Sequence, residues 1–486
     1  MIMTSAPRDA RSSTVAAHSG WLLAVVLAMV GALFVGWIGF MASDDSLYHA
    51  GAIRWLIDPP FAGSDHWSTR FPLTLSFAAV IAVFGNDFTA FAITAVIFYV
   101  VLVAAVGIFA GKAFTNRAGW IAALLAATLP VVVVHASTVS VDLLEAAALL
   151  TGAWLVGSAT EDRVGLMRAA AGGVMFGIAV LCRETSVLAL AVLGPLLLVG
   201  RPFSRRVLIA CGLGAVLVLV GEALFQYAMT GDPLRRYVIA FNHDEHIDRA
   251  ANHEGNFLLW APLDPLLVLL INDDFGLLFW TAGAALIAGT WRSTPLERRA
   301  PFLLLAILAG SSFLLVSLLY TKLVLNPRYF MLAALAAIIL VAAWLDRSAP
   351  RVRAIVLALL VSTNLLLMSV GNAHPRWGME ALVLAAEAYP RAIIAGAPND
   401  VARADIAMDF LDQSNIRALP AHPGDWMIAP VGAAPAGDVV ARYPSPPTRL
   451  GAALRSLGLE PLVPAPIARR MFTPSPDMVL VRPQGG

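Results

Sequence analysis

Hydrophobic residues run through this chain in long, nearly unbroken stretches with short polar breaks between them. Runs close to the ~20 residues that span a bilayer fall at about 21–41, 88–110, 118–136, 142–160, 169–182, 185–200, 207–227, 274–291, 301–320, 329–345 and 353–371. They predict an all-α polytopic membrane protein of about eleven transmembrane helices. Pro72 to Phe84 is also apolar, but at about thirteen residues it is too short to cross. It reads as a helix lying in the interface or dipping into it. From His374 onward the apolar runs shorten while Pro, Ala and Gly rise. Ala392–Ala395, Met427–Ala429 and Met478–Val481 read as short buried strands there, and Val401–Asp412 and Leu450–Leu457 as helices. The C-terminal stretch is therefore a small α/β domain.

Basic residues set the orientation. Alternate connections hold Arg8 and Arg11; Lys112 and Arg117; Arg163 and Arg168; Arg201, Arg205 and Arg206; Arg292, Arg298 and Arg299; and Arg347, Arg351 and Arg353. Connections with this bias are cytoplasmic. The other side carries Arg54, Arg70, Arg183, Arg235, Arg236, Arg249, Lys322 and Arg328, each of which needs its own explanation. Counting 72–84 as a span would invert the bias of everything after it. The expected organisation is a cytoplasmic N-terminus at 1–20, a membrane domain at 21–371 and a periplasmic α/β domain at 372–486. Within the membrane domain, 42–87 and 228–273 are the long periplasmic loops. The first apolar stretch is too long for a secretory signal core and is expected to stay as a helix of a multi-pass inner (plasma) membrane protein.

Composition strengthens this picture. The chain is 59% hydrophobic and 13% charged, against roughly 25% charged in ordinary soluble domains. A net charge of +1 and the absence of any basic cluster give no reason to expect nucleic acid. The two cysteines, Cys182 and Cys211, fall at opposite ends of expected spans, on the order of 30 Å apart. No disulfide is expected. The C-terminal domain has Gly396 after its first strand but lacks the further glycines of a nucleotide-binding turn.

The outer connections carry the candidate chemistry. The first opens on Ser43-Asp44-Asp45-Ser46-Leu47-Tyr48-His49, two carboxylates just past a membrane helix. Such groups are costly unless solvated or used. Ser43 or Asp44 also reads as the N-cap of an amphipathic helix running to Leu56. His66 and Arg70-Phe71-Pro72 follow where the loop re-enters the membrane. The second loop holds Asp142, with Glu145 one turn later; the next turn is Cys182-Arg183-Glu184-Thr185; Asn326-Pro327-Arg328-Tyr329 opens a late helix. Arg70, Arg183, Lys322 and Arg328 could thus meet Asp44, Asp45 and Asp142 at the outer boundary. Guanidinium groups suit a phosphate headgroup, which they grip bidentately. A carboxylate beside them suits deprotonation of an attacking hydroxyl, and fixed cations stabilise a phosphate leaving group.

At these residues the chain resembles the GT-C superfamily of membrane glycosyltransferases, and is most similar to the branch of protein O-mannosyltransferases and the aminoarabinose transferase of lipid A (glycosyltransferase family 39 and relatives). Asp44-Asp45 with Tyr48 matches the family's Asp-Glu and following Tyr, with Asp45 in place of Glu. Arg70 and Pro72 match its basic residue before Pro, and Asp142 its second-loop Asp. Gly172 to Gly177 followed by Arg183 match its Gly-rich helix and Lys turn, with Arg for Lys, and Arg328-Tyr329 its late Arg-Tyr. The likeness covers about residues 20 to 345. It implies Asp44, with Asp45 and Asp142, as the catalytic carboxylates, and Arg70, Arg183, Arg328 and Tyr329 on the donor phosphate. Tyr48, His66, Glu184 and Lys322 are further site candidates. It implies a polyprenyl-phosphate-linked sugar as donor, one displacement with inversion, and a lipid, glycan or protein acceptor.

No cofactor is called for. His243-Asp244-Glu245-His246 and His253 have metal-ligand types without a standard spacing, which leaves a divalent metal open. Glu222, inside a span, stands out because membrane carboxylates are usually functional, though Gln226 one turn on is placed to hydrogen-bond it. The competing reading is a transporter or lipid flippase. It would need inverted repeats and charges near mid-membrane, whereas here the charges gather at one boundary.

Overall fold

The computed structural model describes residues 9–242, 263–290, 296–319, 326–371 and 376–483. The first half contains α1 (Asp9–Gly36), α2 (Asp44–Ile57), α3 (Phe71–Phe84), α4 (Phe88–Ala113), α5 (Asn116–Thr128), α6 (Pro130–Ala136), α7 (Asp142–Gly157), α8 (Arg163–Cys182), α9 (Ser186–Leu190), α10 (Leu193–Val199), α11 (Arg205–Thr230) and α12 (Arg235–Asn242). The second half of the bundle adds α13 (Asp264–Ile271), α14 (Leu278–Ile287), α15 (Leu296–Leu319), α16 (Met331–Arg347) and α17 (Pro350–Gly371).

Each of the eleven apolar runs is helical, but not all are long. Among the described residues seven helices are long and apolar enough to cross a membrane: α1, α4, α8, α11, α15, α16 with the turn before it, and α17. The run at 118–136 is not one rod. It breaks at Leu129-Pro130 into α5 and α6, bent by 66°, because proline cannot continue the preceding helix's hydrogen bonding. Counted as one broken span, it brings the number to eight. The runs at 142–160, 185–200 and 274–291 fold as shorter pieces, the middle one as two. The interfacial candidate α3 has 14 residues.

Small residues set the helix spacing. A Cβ on Gly173 of α8 would lie 1.8 Å from the Cys211 carbonyl oxygen of α11, and one on Gly214 2.0 Å from the Ala170 oxygen. The two backbones touch at this crossing, as is common where membrane helices pack on glycine. The contact also revises the distance between the cysteines. Cys211 lies beside Gly173, nine residues from Cys182 on the same helix, about 14 Å along its axis. That is half the expected separation and still beyond disulfide reach; both thiols are free and buried.

The C-terminal unit comprises α18 (Trp377–Ala388), β1 (Ile394–Gly396), α19 (Pro398–Phe410), β2 (Ile416–Ala418), β3 (Trp426–Pro430), β4 (Gly437–Tyr443), α20 (Arg449–Ser456), α21 (Ala465–Phe472) and β5 (Met478–Pro483). The strands form one sheet in the order β2-β1-β3-β5-β4. β1 runs parallel to β2 and β3, and β5 antiparallel to β3 and β4. It has its own core, built on Trp377, Leu382, Ile394, Ile428 and Leu480. It rests on the bundle through Phe410, whose ring meets Phe88, Phe91 and His49, and through a hydrogen bond between Ser369 and Thr448.

Candidate active site

The chain leaves α1 through a tight loop with Gly39 at φ +81° and Ala42 at φ +48°. Neither Ser43 nor Asp44 caps α2 through its side chain, contrary to the sequence reading. Asp45 orders this turn instead. Its buried carboxylate accepts the backbone N–H groups of Met41, Ser43 and Ser46. Burial still holds this carboxyl above the usual range, with the three amides pulling the other way. Asp44, one residue earlier, is left facing outward: its carboxylate accepts from Trp67 Nε1 at 3.0 Å and from Arg328 Nη1 at 3.2 Å. Asp44 and Arg328 stay about one-third exposed (34% and 31%). A carboxylate oxygen has two lone pairs, so each still has room for a further donor.

Arg70 is the residue before α3, and its buried side chain turns back under α2. It donates to the Tyr48 hydroxyl oxygen and meets Nε2 of His66 at 2.5 Å. The close crossing of α8 with α11 carries Arg183, just past Cys182, to the first residue of α7. There Arg183 Nη1 pairs with Asp142 Oδ1 at 2.5 Å, and its guanidinium lies 4.2 Å above the Tyr329 ring. Ser140 donates to the other Asp142 oxygen at 2.6 Å and lies 3.0 Å from His135 Nδ1. Asp142 is thus an orienting partner of Arg183 rather than a helix cap. Glu145, one turn on, accepts from Ser186.

Asp142, Glu145, Arg183, Arg328 and Tyr329 line one small pocket of about 30 Å³. Its other walls mix Leu149, Val316 and Leu332 with Thr185, Ser186 and Ser312. Two buried guanidinium N–H groups, Arg70 Nε and Arg328 Nε, have no hydrogen-bond acceptor among the described residues. A buried donor without an acceptor is costly, so the cluster holds more donor capacity than its own carboxylates use.

Glu184 is held differently. It accepts from Arg236 Nη2 at 2.7 Å and Nε at 3.1 Å. Burial works against its charge, but Arg236, Arg70 and His66 hold it below its ordinary value. Arg236 is completely buried and also donates to the Thr69, Val180 and Leu181 carbonyls. It ties the first outer loop to the end of α8. Arg236 and Trp67 were not among the candidates from sequence. The signal for Arg236 was present, as a basic pair on the side that should lack them. For Trp67 there was none.

Lys322 and the His243–His253 loop lie outside the described residues. Among those described, no group of three or more His, Cys, Asp or Glu is placed to hold a metal ion. Gln226 donates to the Ala62 carbonyl at 3.1 Å and also acts on Glu222, whose buried oxygens are without a close hydrogen-bond partner among the described residues.

Residues 72–224 match the family model described as dolichyl-phosphate-mannose-protein mannosyltransferase. That segment includes Asp142, Arg183 and Glu184. No curated protein matches the chain by sequence. Among solved structures, the chain is similar to ArnT from Cupriavidus metallidurans bound to undecaprenyl phosphate, at TM-score 0.52 and 17% identity, covering 80% of this chain and 69% of that one. The same protein in its apo state gives TM-score 0.50 and 18% identity over the same shares. An oligosaccharyltransferase from Archaeoglobus fulgidus gives 0.49 and 14%, covering 76% and 58%. The chain therefore shares the fold of the ArnT structure, with a charged cluster around Asp44, Arg183 and Arg328 at one end of its helical bundle.

Proposed function

We propose that the protein is an inverting glycosyltransferase that moves a sugar from a polyprenyl-phosphate donor to a hydroxyl of a lipid, glycan or protein acceptor. The observation that carries this reading is Arg183 and Arg328 gathered at one pocket beside Leu149, Val316 and Leu332, with Arg328 Nε–H lacking an acceptor among the described residues. A polyprenyl phosphate has the same two-part chemistry, a dianionic head on a hydrocarbon chain. The similarity in fold to an ArnT structure bound to undecaprenyl phosphate supports it.

In this reading the acceptor oxygen attacks the anomeric carbon from the face opposite the phosphate. The carbon–oxygen bond to phosphate breaks, and the phosphate leaves with the electron pair. The hydroxyl proton passes to Asp44, the one carboxylate of the three that is neither buried nor fully engaged by the backbone. Arg183 and Arg328 take up the charge developing on the leaving phosphate, with Arg70 and its free Nε–H beside them. Asp142 and Tyr329 position Arg183, and Asp45 shapes the loop that presents Asp44. Tyr48 and His66 fix Arg70, and Glu184 anchors the turn after Arg183. We place the site and the 372–486 unit on the periplasmic side of the inner membrane, following the bias of basic residues.

Donor binding tests this directly. Arg183→Ala and Arg328→Ala in the purified full chain should each weaken undecaprenyl-phosphate binding by about 10- to 100-fold, the loss expected for a charged hydrogen bond. Unchanged affinity in both folded variants would contradict the assignment.

A further inference from the structure

A second cavity, of about 490 Å³, lies where the C-terminal unit meets the bundle. The start of the α1 exit loop (Trp37 to Phe40), the start of α4 (Phe88 and Phe91) and α18 (Met379, Val383 and Leu384) line it. Ser137, Thr138 and Val139, just ahead of Ser140 and Asp142, form one side. The two loops that carry Asp44 and Asp142 therefore run between this cavity and the one holding Arg183 and Arg328. Almost everything lining it is apolar, yet Arg376 lines it too, at 4% exposure.

Arg376 donates Nη2 to the Ile38 carbonyl at 3.0 Å, and its buried Nε–H has no acceptor among the described residues. Glu380 also lines the cavity and is the strongest charge acting on Arg376, ahead of Asp45 and Arg403. Asp45 is already engaged by three backbone amides. What is left is a buried guanidinium with unused donor capacity in a greasy chamber. Phosphate oxygens suit a guanidinium fork, and acyl chains suit the Phe40, Phe88 and Phe91 walls.

We propose that this cavity binds a phosphate-bearing lipid, its chains among the phenylalanines and its phosphate on Arg376. Calling that lipid the acceptor rests on the function proposed above; the binding site itself does not.

The test is retention of phosphatidylglycerol by the delipidated full-length protein, followed by native mass spectrometry, with diacylglycerol as the phosphate-free control. Wild type should hold phosphatidylglycerol at least about tenfold more tightly than diacylglycerol. Arg376→Gln should erase that preference while undecaprenyl-phosphate affinity, read in parallel, stays at the wild-type value. Leu384→Trp, at a partly exposed wall position, fills the chamber without touching Arg376 and should lower retention of both lipids. Equal retention of the two lipids by wild type, or an undiminished preference in folded Arg376→Gln, would overturn the site. Lipid retention as predicted with no sugar transfer from any donor would leave the site standing and remove only the acceptor reading.

Discussion

Adjacent carboxylates can carry opposite duties, and Asp44 and Asp45 show how little of that a sequence reveals. Both sit at the start of one helix, and the family likeness ties both to catalysis. Only the turn at Gly39 and Ala42 decides that Asp45 points back to three amides while Asp44 faces Trp67 and Arg328. Positive backbone angles are not written in a hydropathy pattern. Charge out of place, by contrast, is legible. Arg70, Arg183 and Arg328 stand out because the outer side should lack basic residues, and Arg236 stands out on the same ground. The Glu184–Arg236 pair makes a pH prediction. The folded carboxyl titrates below its ordinary 4.5, so its stabilising effect is complete above that pH and is lost as pH falls through the lower, folded value. Thermal unfolding followed from pH 7 down to 3 should show this loss in wild type. Glu184→Gln should lower the midpoint at pH 7, since it leaves Arg236 buried with a poorer partner, and should flatten the acid decline.

At the scale of the elements, hydropathy located the long helices of the bundle but missed α12 and α13, which lie in the stretch read as a loop, and misjudged continuity. Pro130 lies within an apolar run, and the run alone could not tell a kink from a 66° break. After residue 376, β1, β3, β5, α19 and α20 were found to within a few residues because their apolar segments are short and punctuated by Gly and Pro, whereas α18, β2, β4 and α21 were not. The Gly172–Gly177 stretch was read as a motif; its physical content is spacing. Since a Cβ on Gly173 would lie 1.8 Å from the Cys211 oxygen, Gly173→Ala must push α8 away from α11 and shift Arg183 at the end of α8. We expect a stability loss of about 1–3 kcal/mol together with weaker donor binding. Gly194→Ala on α10, where a Cβ meets nothing within 4 Å, should leave both unchanged. If Gly173→Ala destabilised the chain yet bound donor normally, α8 would not be what places Arg183.

For the whole molecule, the count of basic residues predicts which side of the membrane holds the site, a property that the folded chain alone does not encode. Alkaline phosphatase fused after Gly371 should be active in the periplasm; an inactive fusion, with a cytoplasmic reporter active at the same point, would invert the proposed topology. The central claim, that the Asp44 end of the bundle transfers sugar from a lipid phosphate, has a more direct test. Membranes containing wild type or Asp44→Asn would be given a panel of radiolabelled polyprenyl-phosphate sugars, with donor binding measured alongside. The account predicts label moving to an acceptor fraction with wild type, and a rate at least about 100-fold lower with Asp44→Asn at unchanged donor affinity. Wild-type transfer rates in the Asp44→Asn protein, or no transfer from any polyprenyl-phosphate sugar by wild type, would contradict it.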